Sequence, residues 1–256
     1  MIRAVLLDLA GVVYQGEHAL PGAPDAVAAL HKAGFCLRFL TNTTRVPKRV
    51  LLQRLTDMNV AIAGEELFTP TQAARAWLAA KALMPHLLTH PDLAEDFAGL
   101  TSSAGEAVVV GDAAQGFTYD AMNVALRKLL SGAEFLTLAR NRTFKDDQGD
   151  ITLDTGAFVA ALEYGSRREA ILLGKPAPEF FAAALASVEC DASEAVMVGD
   201  DAEADVAGAL AAGFGSALLV RTGKYRNGDE TKVTPAPSAT VDDLVAATRW
   251  IMEHCR

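Results

Sequence analysis

Short apolar runs and alanine-rich amphipathic stretches alternate along most of this chain. Val5–Leu7, Phe35–Leu40, Ala170–Leu173, Ala195–Val198 and Ser216–Val220 are valine- and leucine-rich segments of strand length with little polar alternation. Such runs are expected of strands buried on both faces. Between them, Ala23–Ala33, Lys48–Asp57, Pro178–Ser187 and Glu203–Ala212 carry helical periodicity. Gly34 and Gly213 stand just past two of these stretches, where a left-handed helix end calls for glycine. The stripe Val206, Leu210, Phe214 reads as core-facing. The alternation predicts an α/β fold, a doubly wound parallel sheet covered by helices on both faces.

The middle third repeats the alternation with different local chemistry. His86–Thr89, Ala107–Val110, Glu134–Leu138 and Asp150–Leu153 read as strands, with a helix around Asp120–Leu130 and a polar turn at Lys145–Gly149. The strand-end motifs described below fall outside this region. We therefore read 74–171 as an inserted α/β domain and 1–73 with 172–256 as one discontinuous core domain. Gly223–Ser238, polar and carrying Pro235 and Pro237, reads as a surface loop before a terminal helix.

With 51% hydrophobic and 21% charged residues among 256, the chain has the balance of a globular protein with a full core. A net charge of −9 argues against general binding to nucleic acid or anionic membranes. Cys36, Cys190 and Cys255 form no CxxC pair and read as free thiols of a reducing compartment. The apolar run at the start is short and interrupted by Asp8, unlike a signal peptide. A soluble, cytoplasmic protein is expected.

Polar residues at four strand ends suit one reaction. They are Asp8-Leu-Ala10-Gly11, Thr41-Asn42-Thr43-Thr44, Gly174-Lys175-Pro176 and Gly199-Asp200-Asp201 with Asp205 four residues on. An open parallel sheet presents its ligands at the carboxyl ends of its strands. An aspartate there can attack phosphorus and split one hard step into two. Its charge repels a phosphate dianion, so the site needs cations. Mg²⁺, a hard ion held by carboxylates and carbonyls, suits Asp8 and Asp200. Lys175 adds positive charge, Asp205 stands behind the ligands or bonded to Lys175, and Thr41 and Asn42 suit the phosphate oxygens. Asp201 is read as supporting the ligands or capping the following helix, and Thr43 equally as a cap.

On these motifs the chain resembles the haloacid dehalogenase superfamily of phosphatases, in the subclass with a large α/β cap inserted after the second motif. Leu-Leu-Asp8-Leu-Ala-Gly-Val, Leu-Thr41-Asn42-Thr-Thr, Gly-Lys175-Pro-Ala-Pro-Glu-Phe-Phe181, Val-Gly-Asp200-Asp201 and Val-Arg-Thr-Gly-Lys224-Tyr-Arg226 stand in family order. Each motif alone is weak; together, in order, they are specific. Within the superfamily the resemblance is to phospholysine phosphohistidine inorganic pyrophosphate phosphatases and their relatives. It implies a Rossmann-like core, Asp8 as nucleophile and Mg²⁺ ligand, the backbone carbonyl of Ala10 and Asp200 as further ligands, and Thr41, Asn42 and Lys175 on the phosphate. It also implies a small phosphorylated substrate, a cap that closes over the site, and homodimerisation as a candidate assembly.

Residue 10 departs from the pattern. Most members place an aspartate there as general acid and base, and the pyrophosphate branch typically a serine; here it is Ala10. A positioned acid–base group is worth about 10²–10⁴ in rate. Its loss weighs most on alkyl phosphates, whose leaving group needs a proton, and less on pyrophosphate, aryl phosphates and phosphoramidates. The expectation is a phosphatase biased toward P–O–P and P–N bonds. The alternatives are a weak or silent phosphate- and Mg²⁺-binding protein, and a broad sugar or nucleotide phosphatase.

Other features read more plainly. His86 and His90 have the spacing of a helical metal pair, but Pro85 and Leu87-Leu88 point to a strand, where the two would not converge. Asp112 and Arg142–Lys145 are read as solvated charge ahead of leaving-group selection. Arg221, Lys224 and Arg226 are read as solvated charge ahead of phosphate steering.

Overall fold

The run Ala4–Asp8 is a central strand whose apolar residues are fully buried, because helices cover the sheet on both sides of it. A computed structural model describes residues 2–101, 103–145 and 150–255, in two compact units. The first holds the residues up to Thr41, Arg49–Phe68, and those from Lys175 onward. Its sheet has six strands in the order Ala239–Val241, Ser216–Val220, Ala195–Gly199, Ala4–Asp8, Cys36–Leu40, Leu67–Phe68. All neighbours run parallel, with Leu7 level with both Phe39 and Val198. Chain order reverses beside Ala4–Asp8, so the crevice beyond its carboxyl end is the topological switch point.

Helices Ala23–Lys32 and Leu244–His254 pack on each other, as do Pro178–Ala186 and Gly208–Ala211. The first buries Ala23, Ala26, Val27 and Leu30, a stripe at helical spacing. The last helix starts at Asp243, whose carboxylate accepts from the backbone N–H of Ala246 at 2.8 Å. Past Asp8 the chain forms a small hairpin of Tyr14–Gln15 and His18–Ala19.

The second unit holds 42–48 and 69–174. Its parallel sheet has the order Ile171–Leu172, Glu134–Thr137, Gly105–Val110, Leu83–Leu88. Val108, Val110 and Phe135 pack with Ala125 and Leu129 of helix Tyr119–Leu130 and Val159 and Leu162 of helix Thr155–Ser166.

Several expectations need correcting. Ala170–Leu173 is not a core-sheet strand: Ile171–Leu172 pairs with Glu134–Thr137 in the second unit. Strand character is local, but the choice of sheet is a long-range contact. Asp150–Leu153 does not join that sheet either; Ile151–Leu153 pairs antiparallel with Thr143–Lys145. The turn between these strands lies outside the described residues, apart from Lys145. The helix expected at Glu203–Ala212 is a π-helical turn, Ala202–Ala207, followed by the short helix Gly208–Ala211. Ala239–Val241 is an edge strand where the polar loop before it gave no sign of one.

Candidate active site

Asp8 ends the central strand, and Gly199-Asp200 ends its neighbour. Parallel pairing sets the two strand ends side by side. Lys175, the first residue of the returning core segment, is buried with its ammonium paired to Asp8 and, at 2.6 Å, to Asp205. The π-helical turn after Asp201 brings Asp205 under the strand end, where its carboxylate also accepts from the backbone N–H of Asp201 at 3.2 Å. A side chain at Gly199 would overlap Asp205, so the glycine allows this approach. One oxygen from each of Asp8, Asp200 and Asp205 lies within 4.8 Å of the others, and all three residues are buried.

Two glycine loops close over Asp200. Gly11 (φ +86°) and Gly223 (φ +62°) meet there, and a Cβ on either would overlap Asp200 Oδ2. A Cβ on Gly223 would also stand 2.6 Å from the Cα of Gly11. The Thr222 hydroxyl donates to the carbonyl of Gly11, and the backbone N–H of Lys224 donates to Asp200 Oδ2 at 2.7 Å. Lys224 Nζ reaches Asp201 at 3.3 Å. The Lys224 side chain is exposed, as expected of solvated charge, but the backbone of its loop builds one wall of the carboxylate cluster. The signal in the sequence was Gly223, whose need to admit a neighbouring loop is invisible without that neighbour.

Asp201 caps the π-helical turn, accepting from Glu203 and Ala204 at 3.2 and 2.9 Å. Thr41 follows Leu40 at the end of the adjoining strand and is buried. Asn42, Thr43 and Thr44 belong to the second unit. Ala10 is exposed and bridges to Tyr14. His86 lies within strand Leu83–Leu88, and His90 instead caps the next turn, accepting from Asp92.

The electrostatics follow from burial. Three carboxylates face Lys175, the only buried lysine among the described residues, which leaves a net charge of −2 with every group ionised. Burial raises Asp8 above the usual carboxylate range, against the pull of Lys175, and the charge of Asp200 adds to the rise. Asp200 is pushed up to about 6 by burial, against the N–H of Lys224. Burial also raises Asp205, against Lys175. For Lys175, burial by itself would lower the pKa, but Asp205 and Asp8 outweigh it and hold the ammonium charged. Asp200 Oδ1 is buried with no hydrogen-bond partner among the described residues. An excess of buried negative charge and an orphaned carboxylate oxygen are what a divalent cation satisfies. The donor set therefore fits Mg²⁺.

A doubly wound α/β unit with a buried carboxylate–lysine cluster at its switch point, interrupted by a second α/β unit, defines a class of hydrolytic enzymes. Residues 5–100 match the family model for haloacid dehalogenase-like hydrolases, and residues 172–247 match a second model of the same kind. The chain is 40% identical over 253 residues to the human haloacid dehalogenase-like hydrolase domain-containing protein 2, covering 99% of this chain and 97% of that one. It is also 40% identical to the phospholysine phosphohistidine inorganic pyrophosphate phosphatase of Danio rerio, covering 99% and 95%. Its fold is similar to p-nitrophenyl phosphatase from Archaeoglobus fulgidus (TM-score 0.88, 22% identity, 97% and 99% covered) and to NagD from E. coli K-12 (TM-score 0.85, 24% identity, 95% and 97% covered). The chain belongs to the haloacid dehalogenase-like hydrolases. Among the described residues, no helix is long and apolar enough to cross a membrane.

Proposed function

We propose that the chain is a Mg²⁺-dependent phosphatase of small phosphorylated molecules that works through an aspartyl phosphate on Asp8. The observation that carries the reading is the net-negative cluster of Asp8, Asp200 and Asp205 around Lys175 at the switch point, with Asp200 Oδ1 unpartnered. Asp8, Asp200 and the carbonyl of Ala10 would hold the ion. It would neutralise charge on the transferring phosphoryl group.

An oxygen of Asp8 forms the new bond to phosphorus while the bond to the leaving group breaks, the electron pair departing with the leaving group. Lys175 holds Asp8 in place and, anchored by Asp205, keeps a positive charge beside the reacting oxygens. Thr41 and Asn42 take phosphate oxygens. Water then cleaves the acyl phosphate and regenerates Asp8. Ala10 has no proton to give at either step, which favours leaving groups that are stable unprotonated or take a proton from solvent. The relative named for phospholysine, phosphohistidine and pyrophosphate supports that bias.

Ala10 also favours a second reading, a silent Mg²⁺- and phosphate-binding protein. Release of phosphate from p-nitrophenyl phosphate, with Mg²⁺ and with chelator, separates the two when wild type is compared with Asp8→Asn. Turnover that needs both Mg²⁺ and Asp8 supports the enzyme; equal signals from the two proteins support the binding protein.

A further inference from the structure

We propose that the second unit carries a binding site for a phosphate dianion at the amino-terminal edge of its sheet, built from residues that take no part in the chemistry proposed above. A cavity of about 920 Å³ opens where strands Leu83–Leu88, Gly105–Val110 and Glu134–Thr137 begin and helix Tyr119–Leu130 ends. That volume is in the range of pockets for small organic ligands. Lys81, Arg127, Lys128 and Ser131 line it, together with Glu106 and Glu134. All of these residues belong to the one compact unit.

The charge around the cavity is positive, in a chain whose net charge is −9. Glu106 is taken up by Lys128 at 2.6 Å. Glu134 lies 3.9 Å from Lys81 and 3.7 Å from Arg168. Among the described residues, four cations thus face two carboxylates, a surplus of +2. His86 adds nothing to it at neutral pH, because burial and the charge of Lys128 hold its pKa below the usual histidine value. A phosphate monoester carries about −1.5 to −2 at pH 7, which this surplus matches.

The helix ends do not consume the surplus. Past helix Tyr119–Leu130, the N–H of Ser131 donates to the carbonyl of Arg127 at 3.0 Å, that of Gly132 to Leu129 at 3.1 Å and that of Ala133 to Lys128 at 3.0 Å. Arg168 Nη1 also donates to Leu129, at 3.3 Å. Helix Pro70–Ala80 ends the same way, with the N–H of Lys81 donating to Leu78 at 3.2 Å. The Arg127 guanidinium and the Ser131 hydroxyl have no hydrogen-bond or ion-pair partner among the described residues. Four positions apart, they share one face of the helix end, with Lys128 next to Arg127 in the chain. A planar fork, an ammonium and a hydroxyl suit the oxygens of a tetrahedral anion. The ion pairs already present are partly exposed, and such pairs are worth at most about 1 kcal/mol, so they yield to a ligand.

Trp77 supplies the readout. Lys81 Nζ lies 4.3 Å from its ring centroid, and an anion that draws Lys81 away changes the emission. Trp250→Phe leaves Trp77 as the single tryptophan of the chain. This protein, without Mg²⁺ and at pH 8, is titrated with three probes: phenylphosphonate, whose P–C bond a phosphatase does not hydrolyse, inorganic phosphate, and benzenesulfonate, a monoanion of similar shape. Calorimetry on the wild type accompanies the titrations. At least one dianion should bind saturably, about tenfold or more tighter than benzenesulfonate. Arg127→Gln and Lys128→Gln should each weaken it by about tenfold, the value of a charge-assisted hydrogen bond. Lys32→Gln, at an exposed position of the first unit, should not. Phosphate bound as tightly as phenylphosphonate, or more so, upholds the site with free phosphate as its ligand. Tighter binding of the phosphonate upholds it with a phosphate ester as the ligand. No saturable binding of either dianion overturns the proposal, and so does binding that benzenesulfonate equals or that both substitutions leave unchanged. Should one variant melt early, the other carries the comparison.

Discussion

Gly223→Ala is expected to cost about 3 kcal/mol or more and to remove activity. Three costs add at this position. An L-residue at φ +62° costs about 1–2 kcal/mol. The new methyl would stand 2.6 Å from the Cα of Gly11 and 2.9 Å from Asp200 Cγ, so either the loop or the carboxylate has to move. Movement breaks the 2.7 Å bond from the Lys224 N–H to Asp200, and a hydrogen bond to a charged group is worth roughly 1.5–3 kcal/mol. At about 2–4 °C per kcal/mol for a chain of this size, the melting temperature should fall by roughly 6–12 °C. Gly228→Ala is the control, because Gly228 has φ +88° but open space where a Cβ would go. It should show only the conformational cost, about 1–2 kcal/mol, and keep its activity. The assay is a pair of thermal melts with phosphate release from p-nitrophenyl phosphate. Gly223→Ala melting no lower than Gly228→Ala, with full turnover, would refute the view that the two glycine loops hold Asp200 in place.

Asp8→Asn should reduce Mg²⁺-dependent phosphate release to background while the protein still melts cooperatively; a variant as active as wild type excludes Asp8 as nucleophile. Ala10→Asp, at an exposed position, should raise kcat on a sugar phosphate by about 10²-fold or more and gain less on aryl phosphates. A uniform gain, or none, would show that proton transfer does not limit the wild type. The metal-free protein should lose stability between about pH 4 and 6, because the folded state keeps a proton on Asp200 up to about 6 whereas the unfolded chain releases it near 3.8. Protonation of Asp200 favours folding below that window, and the contribution is lost as pH rises through it. Mg²⁺ takes the proton's place, so the difference in melting temperature between Mg²⁺ and chelator should widen from pH 5 to pH 7.5 and shrink in Asp200→Asn. A difference independent of pH would count against Asp200 as a ligand.

Much of the site was legible because its parts are local. Asp8 ends a short apolar run, and Asp200 and Lys175 come just after one, patterns set by neighbours in the chain. The Lys224 side chain is solvated, as a basic residue in a polar loop normally is, whereas its backbone N–H, aimed at Asp200 across 24 positions, is a contact that no local pattern shows.

By itself, the sequence determined that α/β elements alternate, where buried strands lie, and which strand ends carry acids, a lysine and hydroxyls. These follow from side-chain periodicity and turn chemistry, which act over a few residues. Tertiary structure decided the rest. It assigned Ile171–Leu172 to the second sheet and brought Gly11 and Gly223 together over Asp200. It also buried three carboxylates around Lys175 with a charge left to balance. Strand pairing and desolvation depend on what meets across the fold, and no local pattern encodes that.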